Sequence, residues 1–196
     1  MNWLLSSHLK WHNRLLGSNM KILAIATFLL SPVLVLAATP DEEGQALRTS
    51  IPVQIYMGTC VVGRANPGAV GSQALEMGFS IASNEQATRY LSGNEGQAWY
   101  MNSPQGEFGI TVLNNSLCSV FIHQGDPHEL QASMEAWLPP QNSGFSYTKE
   151  MTSQSASLST YMYKIFRDNQ LMEQWTITTN AQPNTGMSAI MSYDGP

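Results

Sequence analysis

The sequence predicts an α+β domain: an antiparallel β-sheet of about five to seven strands, one well-defined helix packed on it, and helical segments ahead of them. Three observations predict it. From Ser92 onward, short β-branched and aromatic runs alternate with Gly, Asn and Pro clusters, the texture of a strand meander. A strongly marked helix interrupts that meander at Asp126-Pro127. The last four runs are joined without crossover helices, so they pair antiparallel.

The elements follow in order. Residues 41–62 begin acidic and read as a helical segment leading to Cys60, with Pro52 as a break or kink. A helix that starts at or just before Pro52 removes that conflict, because proline fits a first turn. Asn66-Pro67 supplies an N-cap and an N1 proline for a second helix, and Gly78 stops it. Strands are then expected around Trp99-Tyr100, around Ile110, Val112 and Leu113, and over Leu117–Ile122. Ser103-Pro104-Gln105-Gly106 and Asn114-Asn115-Ser116 turn the chain between them.

Asp126 caps the marked helix, Pro127 takes N1 and Glu129 stands at the capping-box position. Leu130, Met134, Trp137 and Leu138 form its apolar stripe, and Pro139-Pro140 ends it. Further strands are expected over Gly144–Thr152, Ser159–Ile165, Leu171–Ile177 and Met187–Tyr193, with Asp168-Asn169-Gln170 as a hairpin turn. Trp137 and Trp175 read as core, while the environment of Tyr161 and Tyr163 stays open.

The front of the chain has a different texture. Lys10, Arg14 and Lys21 precede an apolar run from Ile22 to Leu36, and the small residues Ala37 and Ala38 follow. Positive, apolar and small-residue parts in that order make a secretory signal. Residues 1–37 are therefore expected to be the signal, cleaved after Ala37 or after Ala38, with Met20 as an alternative start. The run is shorter than a membrane span and holds Pro32, so no stable membrane anchor is expected after cleavage. Residues 38–196 form one domain in this reading. Of nine basic residues the signal holds three and of fourteen acidic residues none, which leaves six against fourteen, a formal −8. Such a surface repels phosphates and argues against a nucleic-acid partner. Cys60 and Cys118, the two cysteines of the chain, are expected to form one disulfide in an oxidising compartment.

Catalytic motifs are missing: there is no Gly-rich phosphate loop, nucleophile elbow or His-Glu-x-x-His. The candidate residues are His123, Asp126 and His128, grouped between a strand end and a helix start. They suit metal-assisted or general-base hydrolysis, or else one helix cap beside two solvated histidines. A Ser-His-Asp arrangement assembled in space is a further possibility. The methionines are scattered and read as core filling rather than Cu(I) ligands, so neither metal nor cofactor is expected.

Several short motifs, taken together, resemble a known family. They are the helix with Cys60, Asn66-Pro67, Gly96-Gln97-Ala98-Trp99, Cys118-Ser119-Val120-Phe121, the Asp126 helix, Thr178-Thr179-Asn180 and Ser192-Tyr193. The chain resembles an uncharacterised family of small exported proteins and lipoproteins from Gram-negative bacteria, including Neisseria-type members, over most of residues 45–194. The resemblance implies a periplasmic or secreted setting and no mechanism. It departs from the lipoprotein members because no acceptor cysteine follows the signal. The expected function is non-enzymatic binding of a protein or envelope component through a sheet face or edge. The alternative is a small exported hydrolase using His123, Asp126 and His128.

Overall fold

A computed structural model of the chain describes residues 40–182 and 186–195. They belong to one unit, Ala38–Pro196; the expected signal at residues 1–37 and its expected cleavage point lie outside the described residues. Helix α1 (Pro40–Arg48) ends before Thr49, and α2 (Ile51–Tyr56) restarts the helix with proline in its first turn. The Pro52 conflict is thus resolved as a fresh helix start, not a kink. A π-helical turn, Met57–Val61, continues α2 and places Cys60 at its buried side. Arg64 and Ala65 then take left-handed backbone, and α3 (Pro67–Glu76) begins under the Asn66 cap, whose side chain accepts from Ala69 N at 3.0 Å.

Strand β1 (Ser80–Ile81) and helix α4 (Asn84–Leu91) follow. After them come β2 (Gly96–Ser103), β3 (Gly106–Leu113), β4 (Leu117–Ile122) and α5 (Pro127–Glu135). The chain closes with β5 (Phe145–Gln154), β6 (Leu158–Arg167), β7 (Gln170–Asn180) and β8 (Ala189–Asp194). These make one antiparallel sheet in the order β1-β2-β3-β4-β8-β7-β6-β5. The α+β class stands. The described residues hold eight strands rather than five to seven; of their five α-helices, α1, α2 and α3 are the expected leading segments, α5 is the marked helix, and α4 is not among the expected elements. The additional strand is β1, whose two residues are too few to show any period.

Strand register sorts side chains onto two faces. On one face Val112, Cys118, Tyr193, Trp175 and Tyr163 lie in one cross-strand row, and Ile110, Val120, Met191 and Ile177 in the next. All nine are buried, beneath α2, the π turn, α3 and α5. A disulfide between Cys60 and Cys118, with Cα atoms 5.4 Å apart, fastens the π turn to β4. Tyr56 meets Trp175 edge to face at 6.0 Å and donates to Ser192 O at 3.0 Å.

Trp175 is core as expected, and Tyr163 is fully buried. Trp137 is not core. Helix α5 ends at Glu135, short of the expected Pro139-Pro140 stop. Leu130 and Met134 of α5 and Leu138 beyond its end are buried, whereas Trp137, also beyond that end, is 37% exposed, with the Arg48 guanidinium 6.0 Å from its ring. Met134 and Met191 are fully buried, as core filling requires, whereas Met77 and Met151 are exposed and are not core.

Helix α4 lies on the opposite face. Gly109 leaves the space that the Tyr90 ring fills, between Tyr100 and Phe121 on the flanking strands. No helix among the described residues is long and apolar enough to cross a membrane.

Candidate functional site

The three residues singled out by sequence go to different tasks. Asp126 Oδ1 accepts from His128 N at 2.9 Å and Glu129 N at 3.0 Å, so this carboxylate is the cap of α5. His128 is exposed and lines an open groove with Glu43 and Leu47 of α1 and Pro52 of α2. His123 turns to the sheet face beneath α4, away from that groove. Its Nδ1 lies 2.5 Å from Gly186 O. A carbonyl can only accept, so Nδ1 carries a proton, and in the uncharged tautomer with that proton Nε2 is the acceptor. Tyr90 Oη is 3.0 Å from that nitrogen and donates to it.

Around this pair stand Glu107, 3.8 Å from His123 Nε2, and Arg89, 3.6 Å from Glu107 Oε1. Burial first, then the Glu107 charge, pushes the Tyr90 phenol up to about 12, with Arg89 opposing. Tyr100, flanking the cluster, is raised by the same two causes. A phenol held there stays protonated at neutral pH, and both imidazole nitrogens already have partners. The cluster holds α4 against β3 and β4 and offers no activated nucleophile. Among the described residues no group of three His, Cys, Asp or Glu side chains is arranged to hold a metal ion.

Sequence reasoning missed Tyr90 and Arg89 because it assigned no helix at residues 84–91, and it missed Glu107 because that residue, on β3, meets them only through tertiary packing. A signal was present. Ser83 and Gln86 form a reciprocal capping box, with Ser83 N donating to Gln86 Oε1 at 2.9 Å.

A second feature lies at the far end of the sheet. β5 pairs with β6 alone, so its outer edge is open among the described residues, and all ten of its residues are exposed. Alternation places Phe145, Tyr147, Lys149 and Met151 on one face. Phe145 is 38% exposed, and Tyr147 and Met151 are each 45% exposed. Lys149 is held inward: its Nζ lies 2.6 Å from Glu135 Oε1 and 4.8 Å from the centre of the Tyr161 ring. The opposite sheet edge, β1, is only two residues long.

Glu135 ties α5 to this end of the sheet by accepting from Lys149, Tyr163 and Gln131. Burial pushes its carboxyl up, but these three hydrogen bonds outweigh that and hold it below the ordinary 4.5. A folded value below the unfolded one stabilises the protein above the ordinary carboxylate range, and that contribution is lost as pH falls through the folded value. Glu135→Gln should therefore cost about 1 kcal/mol at pH 7, given partial solvent screening, and progressively less below 4.5. Urea melts at several pH values measure this; an equal loss at acid and neutral pH would contradict it.

Comparison with protein-family models, with curated proteins and with solved structures found no match.

Proposed function

We propose that the chain is an exported, non-enzymatic interaction protein of the periplasm or extracellular space, engaging a protein or envelope component along the free edge of β5. The carrying observation is that ten-residue exposed edge strand with Phe145, Tyr147 and Met151 on one face. An open edge presents unpaired N–H and C=O groups to which an incoming strand can bond, while alternate side chains supply selectivity. Export is supported by the Cys60–Cys118 disulfide together with the basic and apolar pattern of residues 1–37. Membership of the small exported family that the chain resembles is part of the same proposal. A hydrolase at His123, Asp126 and His128 has less support, since those side chains serve separate tasks.

A photo-crosslinking residue at Met151, introduced in the producing cell, should yield a discrete adduct. Adding Tyr147→Lys should remove it without changing the circular dichroism. Absence of any adduct, or one indifferent to Tyr147→Lys, would remove β5 as the binding edge.

A further inference from the structure

We infer that the occupant of the β5 edge is a second copy of this chain, paired antiparallel about a two-fold axis at Thr148; this rests on the edge-binding reading above. The register of β5 shows why. Phe145 to Met151 pair with β6 without interruption, and a shift follows between Met151 and Ser153. The bulge stops regular pairing there, so the usable run is Phe145–Met151 and its middle residue is Thr148.

In a continuing antiparallel sheet, directly opposed residues lie on the same face. A two-fold axis at Thr148 sets Thr148 against Thr148 of the second copy. It also sets Tyr147 against Lys149, Ser146 against Glu150 and Phe145 against Met151, each pair occurring twice. The Lys149 ammonium is drawn inward to Glu135 and the Tyr161 ring, so Tyr147 of the second copy meets the aliphatic stem of Lys149 rather than a free charge. Phe145 and Met151 form an aromatic–thioether pair. Of the two adjacent symmetric registers, the one about Lys149 sets Lys149 against Lys149, and like charges directly opposed are unfavourable; the one about Tyr147 pairs only Phe145–Lys149, five residues of the uninterrupted run instead of seven. Charge and the length of the paired run together favour the register about Thr148.

Charge also selects the place. Residues 38–196 carry a formal −8, from six basic and fourteen acidic residues, so two copies repel over most of their surfaces. Near β5 the charges balance. Lys149 is paired with Glu135, Arg167 lies 4.0 Å from Asp168, and Lys164 and Glu150 are one of each sign on the other face. The β5–β6 hairpin carries Lys149, Lys164 and Arg167 against Glu150, and with Glu135 and Asp168 beside it this margin of an acidic domain is neutral, so two copies can meet there at little electrostatic cost.

The exported protein is tested by sedimentation equilibrium over a wide concentration range. A reversible monomer–dimer equilibrium is expected, strengthened by added salt as the acidic domains are screened. Thr148→Lys, at an exposed site, should weaken it at least tenfold while leaving circular dichroism unchanged. Thr148→Cys should cross-link the dimer on oxidation, whereas Ser146→Cys and Glu150→Cys alone should not. A monomer at every concentration overturns the inference, as does a dimer unaffected by Thr148→Lys. If such a monomer still gives a Tyr147-dependent adduct with another protein, the edge-binding reading survives and only the self-pairing fails. If neither partner is found, both fail.

Discussion

Replacing both half-cystines, as Cys60→Ala with Cys118→Ala, should lower the unfolding free energy by roughly 4 kcal/mol. The bridge spans 58 positions of sequence, and closing a loop of that size removes about this much conformational freedom from the unfolded chain. Native-state packing adds to the loss, since both residues are 0% exposed and the second sulfur lies in the row with Val112 and Tyr193. Domains of this size commonly hold only about 5–15 kcal/mol in total, so the variant should melt on the order of 10 °C lower. The bridge also joins two layers that the chain reaches far apart in sequence, the π turn after α2 and strand β4. Urea melts of oxidised wild type and the double variant make the comparison. A difference under about 1 kcal/mol would mean that the unfolded chain is already constrained by other contacts.

That bridge was readable from the sequence because the expectation of export, in a chain with two cysteines, leaves one possible pairing. The marked helix was readable for a similar reason. Asp126, Pro127 and the Leu130, Met134, Leu138 spacing all point to the same element, and α5 occurs there with those three residues buried. Trp137 differed because a helical stripe only ranks positions by angle. Which of them meets the sheet depends on where α1 runs, and Arg48 of α1 donates to Ala136 O at 2.7 Å, next to Trp137. The strand runs from Trp99 onward were legible, since alternation and turn residues are local. Their order was not, because β8 enters between β4 and β7 through non-local pairing. The edge position of β5 follows from that order alone. The candidate trio was misleading for a related reason: His123 and His128 are five residues apart, yet the end of β4 and the start of α5 carry them to different surroundings.

Gly109→Val should destabilise the protein by about 3 kcal/mol, at the upper end of the usual cost of overpacking. A Cβ at this position would stand 2.6 Å from two atoms of the Tyr90 ring, too close for any real contact. Valine itself suits a strand better than glycine, so the loss must come from displacing that ring. Tyr90 is only 5% exposed, its ring lies 5.1 Å from that of Phe121, and its hydroxyl lies 3.0 Å from His123 Nε2. Moving it separates α4 from β3 and leaves imidazole and carboxylate without their shared neighbour. Tyr90→Ala alone should cost a similar amount, from lost packing. Combined with Gly109→Val it should cost much less than the sum, because the valine then enters space the ring has vacated. A double-variant cycle followed by denaturant unfolding isolates that coupling, expected at about 1–3 kcal/mol. Strict additivity would show that the two residues do not compete for one volume. The seating of α4, and of the histidine cluster beneath it, would then have to rest on the Ser83 cap and the Arg89–Glu107 pair.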